Sequence, residues 1–558
     1  MLVVMRHNHH PATTLAVLAM VAAAAGCAGA PPPASPPTPA AGAPAARSNT
    51  RESAARESGT PSSSAPLPPP LPPIPYVNGP LAIRVTYPAP NQLLTVRDSN
   101  FIFGSTGSGA ATLTINGTPV PVAPNGAFLG WLPIPPAGKP VYELMATKGD
   151  DHAALTHIIR FPAPRVVPPP ETKPLVAPDT VARFVRLRPG HGATVNDTDA
   201  TVIARPQSAG TYKWFLLPGT VVQLVGRSGT SAHVRLDSHL DAWVDEDAVE
   251  TLANDSTPPR HTALNARVST GERFTDLRIP MGSRPAFNVE ERRADRALVL
   301  TLYGTVSNTD LINFATDDPT IRDVTWEQVN SDRVRYTVQL RHAPYGYLVL
   351  WERNAIVLRV RRAPVVNRDR PLAGLVIALD PGHPPVGSTG PTGLYEGDAV
   401  LAVAGWARQM LEARGATVVM TRTTAGPVAL SDRPVIARRA NADALVSIHL
   451  NALADGTNPF RAATGTGTYF FHDHAEPLAR EVQRALVRRL GLRDAGINYD
   501  NLAVARFTWA PAILCEGAFI ILPEQEAALR TPEFQQRYAA GIVDGLEEFF
   551  RQLAPGGE

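Results

Sequence analysis

The chain has 558 residues, 44% of them apolar and 18% charged, so it is too long for one core and apolar enough to build several. Lys and Arg number 52 against 50 Asp and Glu, a formal net charge of +2, and no Lys/Arg block is interleaved with aromatics, which excludes a nucleic-acid binder. The only two cysteines, Cys27 and Cys515, stand in contexts too different to pair, so no disulfide framework is expected.

Residues 1–27 read as an export signal. Arg6 supplies a positive charge, Leu15–Ala25 is a short apolar run, and the small residues Ala24, Ala25 and Gly26 precede Cys27. The run is far shorter than the roughly 20 residues a membrane-spanning helix needs. The order Ala-Ala-Gly-Cys resembles a bacterial lipoprotein cleavage site. That resemblance implies lipid on Cys27, and Ala28 in place of Asp implies an exported, periplasmic protein anchored to the outer membrane. Residues 28–75 follow as a disordered tether, because about a third of Pro31–Pro75 is proline and the rest is mostly Ala, Ser and Thr. In polyproline geometry its upper reach is on the order of 140 Å.

Three Pro-rich joints, near Pro164–Pro174, Asp255–Thr262 and Ala363–Pro371, divide the remainder. The expected fold class is multi-domain: three small all-β modules, then a C-terminal α/β domain with a mainly parallel sheet. Residues 76–163 suggest a β-sandwich, with strands at Leu81–Tyr87, Ala111–Ile115 and Ala127–Trp131 and turn pairs at Asn116-Gly117 and Asn125-Gly126. Residues 178–253 carry short strands at Thr220–Val225, Ala232–Leu236 and Ala242–Val244. Their pattern resembles the small bacterial barrels related to Src-homology domains, with a pure spacer as the alternative. Residues 263–362 alternate with period two, as in Arg333-Val-Arg-Tyr-Thr-Val-Gln-Leu, and resemble the AMIN modules that precede wall amidases.

From 373 to 555 strands and helices alternate. Leu375–Leu379 is a continuous apolar run suited to a central strand. Val400, Ala404, Ala407 and Leu411 recur at helical spacing before Gly415. Ala416–Met420 and Ala444–Ile448 are the next strands. Leu478, Val482, Leu486 and Leu490 mark a helix closed by Gly491. Ala510–Cys515 is a further strand, and Phe534–Leu553 a closing helix.

The chemistry sits where these strands end. Leu375–Leu379 runs into Asp380-Pro-Gly-His383, Ala444–Ile448 into His449 and Pro511–Cys515 into Glu516; Glu396 joins from the loop before a helix near Gly397. Sites in open α/β sheets form at the carboxyl ends of strands. Two imidazoles and one carboxylate are a common ligand set for catalytic zinc, and they leave a position for water. A second carboxylate can then move the proton from water to the leaving amine. His383, Glu396, His449 and Glu516 fill these four roles.

These residues carry a resemblance. Ala378-Leu-Asp-Pro-Gly-His383, Gly393-Leu-Tyr-Glu396, Ser431-Asp-Arg-Pro, Ala440-Asn-Ala-Asp-Ala, Ser447-Ile-His449-Leu-Asn451-Ala and Pro511-Ala-Ile-Leu-Cys-Glu516 follow in the order of the zinc-dependent N-acetylmuramoyl-L-alanine amidases, as does Leu529-Arg-Thr-Pro-Glu533-Phe. The resemblance implies Zn2+ held by His383, Glu396 and His449, Glu516 as the catalytic carboxylate, peptidoglycan as substrate, and cleavage between the lactyl group of N-acetylmuramic acid and L-alanine. It departs from the family at Pro384-Pro385, where glycines are usual, and at Gly517-Ala518. Asn451 is a candidate substrate contact, with a turn-forming role as the alternative. Arg433 is expected in a structural salt bridge, Cys515 as a small core residue, and Phe470-Phe-His-Asp-His as a solvated segment rather than a metal pair. Two other readings remain: a catalytically inactive wall-binding or regulatory lipoprotein, and a zinc hydrolase acting on an amide within the stem peptide. The sequence identifies no activator protein.

Overall fold

A computed structural model describes residues 70–162, 183–189, 201–253 and 261–554. The export signal, Cys27, nearly all of the tether and the joint at 164–174 lie outside the described residues.

Residues 70–162 form seven strands. Arg84–Tyr87, Ser99–Ser105 and Ala127–Pro133 make one sheet, and Thr112–Ile115, Thr118–Val120, Val141–Lys148 and Asp151–Ile158 another. Val85, Ile102, Leu113, Phe128 and Leu144 fill the core they share. Asn116 and Gly117 take φ of 49° and 78°, the left-handed pair that a two-residue hairpin between Ile115 and Thr118 requires. At the second turn only Gly126 is left-handed, and the Asn125 side chain instead accepts from the Ala127 amide at 3.1 Å.

The next region is a five-stranded antiparallel sheet of Leu240–Asp245, Ser231–Asp237, Val221–Ser228, Arg183–Leu187 and Val249–Thr251, with a two-stranded ribbon of Val202–Ala204 and Trp214–Leu216. The third region builds sheets of five, four and two strands, among them Ala286–Arg292, Ala297–Tyr303, Arg333–Leu340, Gly346–Trp351 and Ala355–Arg361. The regions share cores across the expected boundaries. Ala286 and Tyr303 complete the core of 183–251, and Leu217 enters that of 261–361. The described residues all fall within one compact unit.

The C-terminal domain is a six-stranded sheet with five helices. In chain order they are β1 (Val376–Pro381), α1 (Glu396–Ala413), β2 (Thr417–Met420), α2 (Asp432–Arg439), β3 (Ala444–Asn451), β4 (Thr466–Phe470), α3 (Glu476–Leu490), β5 (Asp494–Tyr499), β6 (Ala512–Phe519), α4 (Pro523–Leu529) and α5 (Pro532–Leu553). The strand order is β2-β1-β3-β6-β4-β5. Four of the five pairings are parallel, as expected of a mainly parallel sheet, and β4 runs antiparallel to β6, which makes the sheet mixed. The cause is the polar, Gly-containing stretch between β3 and β4, which returns the chain without a helix and therefore delivers β4 from the opposite end.

The helices follow from their apolar faces. Ala399, Val400, Val403, Ala404, Ala407 and Leu411 put one stripe of α1 on the sheet, and Gly415 at φ 85° turns the chain out. In α3 the stripe is Leu478, Val482, Leu486 and Leu490, ended by left-handed Gly491. Gly541 and Gly545 let α5 lie directly on α3. A Cβ at Gly545 would stand 2.4 Å from the Val482 backbone. Thr531 caps α5 by accepting from the Phe534 amide.

Candidate metal centre and catalytic carboxylate

His383 lies two residues beyond β1, Glu396 opens α1, His449 sits near the end of β3, and Glu516 sits within β6 directly beside His449 in parallel register. His449 and Glu516 are therefore part of the strands, which run further than the expected Ile448 and Cys515. Being in the ladder fixes their direction more firmly than a loop would.

The four groups converge. His383 Nε2 is 3.0 Å and His449 Nδ1 is 3.2 Å from the same oxygen of Glu396, Oε1. The three potential ligand atoms all lie within 4.8 Å of one another. The imidazoles meet nearly edge to face, 4.8 Å between centroids at 79°. Gly382 makes room for this, since a Cβ there would stand 2.3 Å from the His449 ring.

Glu396 is 2% exposed. Burial alone would raise its carboxyl, but the hydrogen bonds and charges of His383 and His449 outweigh burial and hold it well below the usual carboxylate range. The amides of Leu450 and Ser388 also donate to it, each at 3.0 Å. Glu516 is the opposite case. Burial first, then repulsion from Glu396, pushes its carboxyl well above the usual range. Its Oε2 is buried without a hydrogen-bond partner. A buried acceptor with no donor is costly unless a ligand or water completes it. Two imidazoles and a carboxylate whose ligand atoms lie within 4.8 Å of one another, with Glu516 the ladder neighbour of His449, fit a divalent transition metal.

The residues behind the site are charged and buried. Asp380 accepts from Arg433 Nη1 at 2.8 Å, Ser447 Oγ at 2.6 Å and Thr421 Oγ1 at 2.5 Å. Arg433, expected in a structural salt bridge, makes it and also donates to the carbonyls of Pro381, His383 and Pro384. The Pro384-Pro385 loop is thus tied at its first residue. Three groups were missed from the sequence. Arg422 donates to the carbonyls of Pro381, Gly382 and Gly397. Glu526, fully buried, accepts from the amides of Thr392 and Leu394 and fixes the loop entering α1. The Tyr538 hydroxyl donates to the carbonyls of His449 and Cys515. Arg422 follows strand β2 directly, a position that could have signalled it. Glu526 and Tyr538 act over more than 80 residues and leave no local trace.

Cys515 is buried and its thiol pushed up by burial, as suits a core residue. Asn451 ends β3, where its carbonyl accepts from the Ile520 amide at 3.1 Å. The expectation of a solvated Phe470–His474 segment is overturned. His474 is 3% exposed, because Glu291 of strand Ala286–Arg292 reaches across and binds it at 2.9 Å.

The N-acetylmuramoyl-L-alanine amidase family, Amidase_3, matches residues 377–548. The protein YqiI of Bacillus subtilis is 31% identical over 211 residues, which cover 37% of this chain and 99% of that one. The chain belongs to the N-acetylmuramoyl-L-alanine amidase family. "Probable cell wall amidase LytH" of Staphylococcus aureus is 32% identical over 209 residues, 37% of this chain and 67% of its own length. For the Staphylococcus epidermidis protein of that name the match is 34% over 184 residues and spans only 60% of the relative. Among solved structures, the amidase AmiC2 of Nostoc punctiforme is 30% identical, covering 32% of this chain and 98% of that one at a TM-score of 0.30. In each case the matched part is a minority of this chain, and the amidase domain is where the four converging residues lie.

Proposed function

We propose that the amidase domain hydrolyses the amide between N-acetylmuramic acid and L-alanine in peptidoglycan. The observation that carries this reading is the convergence of His383, Glu396 and His449 beside the unpartnered Glu516 Oε2, in a chain of this family. His383, Glu396 and His449 would hold zinc, which supplies a Lewis acid that acidifies water and polarises a carbonyl. Glu396 is suited to ligation because the buried carboxylate accepts from the amides of Ser388 and Leu450, which favour its ionised form. Glu516 is suited to proton transfer because burial and the Glu396 charge raise its proton affinity. It takes the proton of the attacking water and delivers it to the leaving nitrogen of L-alanine. Asn451, two residues beyond His449 at the end of β3, would contact the stem peptide.

The test is mass spectrometry of fragments released from purified peptidoglycan. Intact stem peptides with a free L-alanine amine are expected, and the variant Glu516→Gln should lose about 10²–10⁴-fold in rate while keeping its zinc. Cleavage inside the stem peptide would reassign the bond. Zinc-loaded protein that releases nothing would mark the chain as a wall-binding protein that does not turn over.

Export and a lipid on Cys27 form part of the same proposal, supported by the Ala-Ala-Gly-Cys order. Replacing Cys27→Ser should move the protein from the membrane to the soluble fraction; an unchanged membrane pool would sink the anchor.

A further inference from the structure

A second group with the same composition as the proposed metal centre, two histidines and one glutamate, is buried elsewhere. Of its histidines, His472 precedes and His474 lies within the single turn Asp473–Ala475 just after β4, and its glutamate is Glu291 on strand Ala286–Arg292 of the preceding β region. Because β4 is antiparallel to β6, with Phe470 beside Ile513, this group sits at the end of the sheet opposite the catalytic edge.

The geometry repeats that of the catalytic centre. His472 Nδ1 is 3.1 Å and His474 Nδ1 is 2.9 Å from one oxygen of Glu291, Oε1. The three potential ligand atoms lie within 4.8 Å of one another. At the catalytic centre the corresponding separations are 3.0 Å and 3.2 Å. A tetrahedral zinc site with bonds of about 2.1 Å sets its donors roughly 3.4 Å apart, a few tenths more than is seen here.

Hydrogen-bond accounting calls for a positive charge between the groups, supplied either by a second imidazole proton or by a metal ion. His472 Nε2 lies 3.1 Å from the Arg506 carbonyl oxygen, which can only accept, so that nitrogen carries the hydrogen. A neutral imidazole then turns the bare lone pair of Nδ1 toward a carboxylate oxygen. Two acceptors facing each other at hydrogen-bond distance repel unless something positive lies between them. A ligated histidine usually donates its other ring hydrogen to a carbonyl, as His472 does to Arg506. His474 Nε2 is buried with no partner. The two rings are parallel, 11° apart with centroids 5.4 Å apart, so both present Nδ1 on the same side. Tyr347 closes the group, its ring edge-on to both imidazoles at 6.1 Å and 6.3 Å. The remaining group of potential ligands among the described residues, Asp237, His239 and Asp332, is already engaged: Arg333 binds Asp237 at 2.6 Å and Ser238 binds Asp332 at 2.6 Å.

We propose that Glu291, His472 and His474 bind a second zinc-class metal ion, and that this ion fastens the 261–361 β region to the amidase domain. Its ligands come from chain segments more than 180 residues apart, so a metal there stabilises the docked arrangement and takes no part in catalysis.

The test is metal content of the full chain after dialysis, with and without the catalytic ligands. Wild type should hold about two zinc ions per chain, the double variant His383→Ala/His449→Ala about one, and that variant with Glu291→Gln about none. A chelator should lower the Tm of the double variant and leave that of the Glu291→Gln triple variant unchanged. Should the triple variant fail to fold, cobalt in the double variant decides, since a visible d–d band with nitrogen and oxygen ligands is expected. A double variant that retains no metal overturns the second site and leaves the catalytic reading intact. Metal kept in the double variant when wild type holds only about one ion supports the second site and removes the catalytic metal.

Discussion

The catalytic centre depends on one residue that carries no functional group. Gly382 stands between Pro381 and the proposed ligand His383, and a methyl there would overlap the His449 ring at 2.3–2.7 Å from its nearest atoms. The ring has nowhere to retreat without leaving Glu396. Gly382→Ala should therefore weaken zinc retention and cost about 10²-fold in kcat, the order expected for a displacement of about 1 Å among reacting groups. Rate and metal content measured against added zinc check this; wild-type rate and zinc affinity would show that the ring yields freely. Of the four candidate side chains, His383, His449 and Glu516 were legible because each follows or ends an apolar strand, and Glu396 because it stands at the start of a helix. Gly382 was legible only as part of a motif, since its role is the space it leaves. Glu291 was not legible as a partner of His472 and His474, because that pairing depends on how two distant segments dock.

At the scale of elements, the strand ends are held in place by buried charge. Asp380 closes β1, and Arg433 of α2 neutralises it while tying the carbonyls of Pro381, His383 and Pro384. Both side chains are nearly sealed, 4% exposed for Arg433 and 1% for Asp380. Removing one member of a buried pair leaves an uncompensated charge, at a cost of about 3–5 kcal/mol. Arg433→Leu should lower the stability of the chain by that order in urea unfolding, and Asp380→Asn added to it should recover part of the loss. Equal stabilities for the single and double variants would show that Thr421 and Ser447 satisfy Asp380 alone. The strands β1, β3 and β6 and the helices α1, α3 and α5 were visible from apolar spacing. The reversal of β4 was hidden, because strand direction depends on how the polar 452–465 connection crosses the sheet, and periodicity does not encode it. That connection is also tied to the first β region. Asp455 takes hydrogen bonds from the Tyr87 hydroxyl and from Asn100 Nδ2, and Gly456 N donates to Asn100.

Across the whole molecule, the regions meet through shared apolar cores and through buried polar contacts. Arg361 lies 4.9 Å over Trp509 and donates to Asp443 and to the carbonyls of Ala442 and Asn441. Composition and turn residues divide the chain into segments, but they do not show which segments dock, because docking rests on pairs such as Asp443–Arg361 and Asp237–Arg333 that lie 80 or more residues apart. The junction between the second and third β regions offers a test through pH. His261 opens the third region in strand His261–Ala263, paired with Thr305–Ser307. Gly304, left-handed at φ 59°, lies between His261 and the Leu236 carbonyl of the second region. The His261 imidazole is 5% exposed, its Nδ1 2.8 Å from Ser283 Oγ. Burial pushes its pKa down from 6.5 to about 4, so the folded chain prefers it neutral. Above the ordinary value both folded and unfolded chains are neutral at this position, and the junction keeps its full stability. As pH falls from about 6.5 toward about 4 the unfolded chain binds a proton that the folded one refuses, and stability drops by on the order of 3 kcal/mol. Other groups titrate in the same window, so the informative quantity is the difference between wild type and His261→Gln. The variant should lose less stability between pH 7 and pH 4.5 in urea unfolding, whatever its stability at neutral pH. Parallel losses would mean that His261 is solvated in the unprotonated fold and that the junction does not sense pH.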